Sequence, residues 1–140
     1  MIVLHGKSVY QDVCIGKIHY FKREESVIKR VKIENAAEEI ERFHEAKEKG
    51  IAQMKLLYEK MCESVGEADA AIFEIHQMMM EDLDYTDSVE NIIKTQNVNA
   101  EYAVGTTADN FQAMFLSMDD EYMRGRAADV KDVSERLIRI

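Results

Sequence analysis

The chain contains no proline and only six glycines. Sandwiches and barrels are built from short strands joined by tight turns, and tight turns lean on those two residues. A chain nearly without them is left with long helices. At 140 residues it amounts to a single domain and is long enough to enclose a core. Apolar residues make up 46%, enough to fill that core and to exclude a disordered tail. No apolar run approaches the ~18 residues of a membrane span, and no signal peptide opens the chain. The expectation is a cytoplasmic protein without membrane insertion.

Helix ends are legible along most of the sequence. Asn35 caps a first helix, with Glu38 three residues on as in a capping box. Ile40, Phe43, Ile51, Met54, Leu57 or Tyr58, and Met61 then form one seam along about 28 residues. Lys47 and Gly50 interrupt that seam, and Gly50 marks either the close approach of a neighbour or a bend. Val65-Gly66 ends the helix. A second runs from about Glu67 to Glu81 with Ile72, Ile75, His76 and Met79 on one face. Asp82-Leu83-Asp84 breaks it, and a short helix covers about Thr86–Lys94. Asn99 is the next cap, followed by a stripe of Phe111, Met114, Phe115 and Met118. After Ser117-Met118-Asp119-Asp120 a last helix starts near Glu121 and keeps Met123, Ala127, Val130, Val133 and Leu137 in register.

Residues 1–32 read differently. Ile2-Val3-Leu4 and Cys14–Phe21 are rich in strand formers and predict two short strands. Two strands alone are marginal in water, and nothing later reads as a third. The last helix also has no stop signal. Together these features predict a piece of a longer protein, with 1–32 belonging to a neighbouring domain and 33–140 forming a helical unit.

The net charge is −9, which argues against a nucleic-acid partner. From Met61 to Ile93 there is no Lys or Arg, while Glu63, Glu67, Asp69, Glu74, Glu81, Asp82, Asp84, Asp87 and Glu90 are all acidic. Such a run is either a solvated face or a dock for a basic partner.

Residues that carry chemistry are sparse. His5, His19, His44 and His76 sit in no metal-ligand frame, and Cys14 and Cys62 lack the spacing of a zinc site or a disulfide framework. There is no nucleophile elbow and no glycine-rich phosphate loop. Methionine stands out: Met78, Met79 and Met80 are consecutive, with Met114, Met118 and Met123 later. Three in a row cannot all face one core. They are either soft core filling or an adaptable binding surface beside the acidic run.

Two segments carry a family resemblance. Gly66-Glu67, then Ala71-Ile72-Phe73-Glu74-Ile75-His76 and the run to Glu81-Asp82, resemble the "GEE..AIFEAH..LLED" segment of the Enzyme I family. These are the phosphoenolpyruvate–protein phosphotransferases of the bacterial sugar phosphotransferase system. Ser117-Met118-Asp119-Asp120-Glu121-Tyr122-Met123-Arg124-Gly125-Arg126-Ala127-Ala128-Asp129-Val130-Lys131-Asp132 resembles the family's "LDDEYLRERAADIRDIG" signature. Ile15-Gly16-Lys17 matches the end of its opening strand.

The resemblance implies a mainly α fold: two antiparallel helical hairpins in a bundle, with a short β segment from an adjacent α/β domain. It implies a bundle that docks the phosphocarrier HPr. The phosphorylated histidine lies in a "TSH" motif that this sequence does not contain, so no catalytic residue is expected here. Mg²⁺ and the homodimer contacts belong to a carboxy-terminal barrel of the parent, and no cofactor or metal is expected in this chain. By position, the resemblance implicates Glu67, Glu74, His76, Met78, Met79, Asp82, Asp84, Tyr85, Met118, Met123 and Arg126 in HPr binding. The methionines receive apolar side chains, the carboxylates pair with Arg and Lys, and Arg126 offers a fork of donors to the partner's backbone. His76 is expected as a hydrogen-bonded or partner-contacting histidine, not a phosphoacceptor. Family members often carry acids where this chain has Ala68 and Gly125, and its opening segment lacks the usual Ser-Pro-Gly. The alternatives are a nitrogen-regulatory paralogue with another HPr-like carrier, and a helical scaffold that self-associates.

Overall fold

A computed structural model describes His5 and residues 15–17, 19–20 and 27–140. The expected strand at Ile2–Leu4 lies outside these residues, as does part of Cys14–Phe21; residues 15–17 and 19–20 are not in a strand. The described chain is helical: α1 (Ala36–Val65), α2 (Glu67–Glu81), α3 (Leu83–Gln96), α4 (Ala100–Leu116) and α5 (Glu121–Arg139). α1 packs along α2 and α4 along α5, which makes two long hairpins, with α3 packed on α4 as the link between them.

Local chemistry sets each helix end. Asn35 Oδ1 accepts from the backbone N–H of Ala37 at 3.0 Å and caps α1. Gly66 alone separates α1 from α2. Its φ of 96° is a left-handed conformation that side-chain-bearing residues resist. Asp82 alone separates α2 from α3, its carboxylate accepting from Tyr85 N–H at 2.8 Å. This single-residue cap starts α3 earlier than the expected Thr86, and Asp84 in the first turn complements the helix dipole. Asn97, at φ 51°, closes α3 by donating to Ile93 O at 3.0 Å. Asp120 caps α5 through Met123 N–H at 3.0 Å.

Asn99 departs from expectation. It occupies the N-cap position of α4, but its side chain makes no capping bond. Its Oδ1 accepts from Val31 N–H at 2.8 Å and its Nδ2 donates to Glu101 at 2.7 Å. The first N–H of α4, on Ala100, is received instead by Glu39 Oε1 of α1 at 2.7 Å. Asn99 is thus turned to the incoming chain, where Lys32 and Val98 form an isolated antiparallel bridge.

The core gathers Phe43 and Met54 from α1, Met80 from α2, Val89 and Ile93 from α3, Val104 from α4, and Val130, Val133 and Leu137 from α5. Both weak points in the α1 seam have an explanation. Lys47 Nζ reaches across to donate to Thr86 Oγ1 at 3.2 Å. Gly50 is buried where an added Cβ would stand 3.0 Å from Met80 Sδ and 3.3 Å from Leu137 Cδ2. The glycine therefore marks a close approach between helices.

Two carboxylates tie the bundle to pH. Burial pushes Glu101 up, but hydrogen bonds from Arg42, its own backbone N–H and Asn99 outweigh this and hold it below its ordinary 4.5. A hydrogen bond from Lys94, then one from His44, lowers Glu90 in the same way. A carboxylate lowered in the folded state lends stability that is complete above its unfolded value and lost as pH falls through the folded one. Glu101→Gln is expected to flatten the acid limb. Thermal melts should show the gap between wild type and variant narrowing from neutral pH to about pH 3.

Candidate partner-docking groove

One open groove of about 480 Å³ runs where α2, α3, α4 and α5 meet. α2 lends Ile75, Met78 and Met79, and the joint after it lends Asp82. α3 lends Asp84 and Tyr85; α4 lends Phe111, Met114 and Phe115; α5 lends Tyr122, Met123, Arg126 and Val130. The walls are thus thioether and aromatic, with two carboxylates at one edge. Arg126 is the one cation among the described lining residues.

The three consecutive methionines divide by helix angle. Met80 points into the core with no exposed surface, Met79 is half-buried against it, and Met78 is 68% exposed in the groove. The methionine run therefore divides between core and exposed groove. A residue every 100° around a helix cannot do otherwise.

Tyr85 forms the floor rather than the rim, since it is only 3% exposed. Its hydroxyl lies 2.7 Å from Ser134 Oγ, and its ring meets Phe111 edge-on at 5.6 Å between centroids. Burial pushes the hydroxyl up to about 12, so it stays protonated and holds the floor rigid. Arg126 has its guanidinium 4.4 Å from the centroid of the Tyr122 ring and donates to the Tyr122 hydroxyl. It also donates to Asp129 Oδ2 at 3.0 Å. The hydroxyl bond, then Asp129, raises the guanidinium above its ordinary value, so the charge is permanent.

Of the eleven residues expected at a docking site, Met78, Met79, Asp82, Asp84, Tyr85, Met123 and Arg126 line the groove. The other four do not. Glu67 and Glu74 are exposed on α2 and act on the Tyr58 hydroxyl of α1, which is pushed up to about 12, first by a hydrogen bond with Cys62. Met118 is half-buried in the α4–α5 turn, where its carbonyl accepts from Arg124 at 3.0 Å. His76 sits behind the groove: its side chain is 13% exposed and its Nε2 lies 3.6 Å from Asp129 Oδ1. Ile75, Phe111, Phe115, Tyr122 and Val130 line the groove without having been expected there, and Met114, one of the methionines singled out as core filling or binding surface, joins them. The i, i+3, i+4 stripe at Phe111, Met114 and Phe115 was visible as an apolar face, but periodicity alone does not say whether such a face meets core or solvent.

No three His, Cys, Asp or Glu side chains stand together as a metal cage among the described residues. No described helix is long and apolar enough to cross a membrane.

Comparison with known proteins fits this geometry. The family model described as "PEP-utilising enzyme, N-terminal" matches residues 5–126. The phosphoenolpyruvate-protein phosphotransferase of Listeria monocytogenes is 34% identical over 135 residues, covering 96% of this chain and 24% of that protein. The chain thus spans about a quarter of the length of the curated relatives it matches. An NMR solution structure of Enzyme I superposes with a TM-score of 0.77 at 36% identity, covering 83% of this chain and 48% of that one. The N-terminal domain of the nitrogen Enzyme 1 superposes at 0.74 with 22% identity, over 80% of this chain and 47% of that one, and shares the fold. The mainly α architecture is that of the Enzyme I N-terminal helical domain.

Proposed function

The chain belongs to the family of PEP-utilising enzyme N-terminal regions, and from that premise we propose that the groove docks a small phosphocarrier protein of the HPr type. One observation supports this above all: methionines and aromatics wall an open groove whose acidic edge, Asp82 and Asp84, falls in the stretch 61–93 that has no Lys or Arg. Met78, Met79, Met114 and Met123 receive an apolar patch and repack to its shape. Asp82 and Asp84 meet the basic side chains around that patch, and Glu67, Glu74 and Met118 extend the same face. Arg126 presents donors to the carrier's backbone.

The task is positioning. The parent is a phosphoenolpyruvate–protein phosphotransferase whose phosphohistidine lies outside this chain. The bundle holds the carrier so that its histidine meets that group, which supplies proximity rather than chemistry. The same reading puts the parent in the cytoplasm, as a dimer joined through parts outside this chain. It assigns residues 1–32 to a neighbouring domain and 33–140 to the docking bundle.

A carrier must leave after each transfer, so binding is expected to be weak, fast and salt-sensitive. Titration of the ¹⁵N-labelled chain with HPr should give fast-exchange shifts at Met78–Tyr85, Met114 and Tyr122–Arg126, shrinking as salt rises. Slow, salt-insensitive binding, or shifts that avoid the groove, would overturn the proposal. Concentration-dependent line broadening without carrier would favour a self-associating scaffold instead.

A further inference from the structure

We infer that His76 is a positioning residue for the docking groove: it fixes the Asp129 carboxylate, and Asp129 fixes the guanidinium of Arg126. This inference rests on the docking reading above for its consequence, though not for its geometry.

His76 lies on α2, whereas Asp129 and Arg126 are one turn apart on α5. His76 Nε2 is buried and has no hydrogen-bond partner. The carboxylate oxygen facing it is Asp129 Oδ1, at 3.6 Å. Asp129's other oxygen, Oδ2, accepts from Arg126 Nη1 at 3.0 Å. A buried ring nitrogen left unmatched is costly, and a shift of a few tenths of an ångström turns this approach into a hydrogen bond. The chain of contacts then runs from the α2–α5 interface through Asp129 to Arg126, and from Arg126 to the Tyr122 hydroxyl at the groove wall.

The role of His76 follows from geometry. The Asp129–Arg126 pair lies within one helix, at i, i+3, with side chains only 18% and 16% exposed, and a carboxylate held at one oxygen still swings about its terminal torsion. Held at both oxygens, from two helices, it presents one plane. The planar fork of Arg126, which lines the groove, follows that plane. A long side chain ordered in advance loses less freedom when a partner docks.

The test reads Arg126 directly. In the wild-type chain the Arg126 Nη1 and Nη2 signals should be resolved by ¹⁵N NMR, because rotation about Nε–Cζ is hindered. In His76→Ala they should collapse to exchange-averaged signals. In His76→Gln, whose amide N–H replaces that of the ring, they should return. HPr binding should weaken about fivefold in His76→Ala, the effect of freeing one long side chain, and should not weaken further when His76→Ala is added to Arg126→Ala. Thermal melts identify any variant that has lost its fold. Unchanged Arg126 signals in a folded His76→Ala chain overturn the inference, whatever the carrier does. Equal loss in Ala and Gln variants overturns it as well, because ring bulk rather than the N–H is then what matters. Signals that collapse and return as expected, in a chain to which HPr does not bind, uphold the positioning and overturn the docking reading.

Discussion

Replacing Ile93 by Ala is expected to destabilise the chain by about 3 kcal/mol, the usual cost of emptying a fully buried aliphatic site. Ile93 has no exposed surface and lies in the core with Val89 and Ile92 of α3. The sequence pattern makes α3 only a short helix over about Thr86–Lys94. In the structure it contributes five buried residues, Tyr85, Thr86, Val89, Ile92 and Ile93. For a domain of this size the loss corresponds to a fall in Tm of roughly 10 °C. Leu83 on the same helix is 74% exposed, and Leu83→Ala should cost less than about 0.5 kcal/mol. Denaturant melts of the two variants separate the possibilities. A loss below about 1 kcal/mol for Ile93→Ala would mean that α3 unfolds apart from the bundle.

Met78→Lys is expected to weaken HPr binding by about a hundredfold or more, the scale of a hot-spot residue near the centre of an interface. On the docking proposal, the substitution places an ammonium where an apolar patch is desolvated, and it opposes the basic side chains proposed for the carrier. Met78 is 68% exposed and Met80 alone of the three consecutive methionines is fully buried, so stability should stay within about 0.5 kcal/mol of wild type. That separation of effects makes the variant informative. Calorimetric titration with HPr, beside a thermal melt, reads both quantities. Unchanged affinity in a folded Met78→Lys chain would remove the groove from the docking surface. By contrast, Met80→Lys should fail to fold, because its side chain fills the close approach at Gly50.

The helices and most of their ends are legible in the sequence because their causes are local. Asn35 caps through bonds to Ala37 and Glu38, Asp120 through Met123, and Gly66 through its own φ. Each of these reaches no further than three residues along the chain. The apolar register of α5 at Ala127, Val130, Val133 and Leu137 is likewise a property of one helix, and all four are buried. The acidic stretch free of Lys and Arg is a matter of composition alone, and it leaves α2 and all of α3 before Lys94 without a basic side chain however they pack.

Other features required the packed bundle, because their causes lie dozens of residues apart. Asn99 has the right residue type and position for a cap, yet Val31 takes its side-chain oxygen and Glu39 serves Ala100 in its place. Tyr85 reads as a partner contact and becomes a floor, because Ser134 from the far end of the chain meets its hydroxyl. His76 sits in the same motif as Met78 and Met79 but turns away from the groove toward Asp129. Periodicity, caps and charge are short-range or compositional, so the order of residues was enough to make the chain a set of long helices with one acidic, methionine-rich stretch. Which methionine is core and which is groove, and which way His76 faces, became definite only on packing. Those outcomes depend on how α2, α3, α4 and α5 cross, and crossing is set by the fit of distant side chains rather than by the pattern along any one helix.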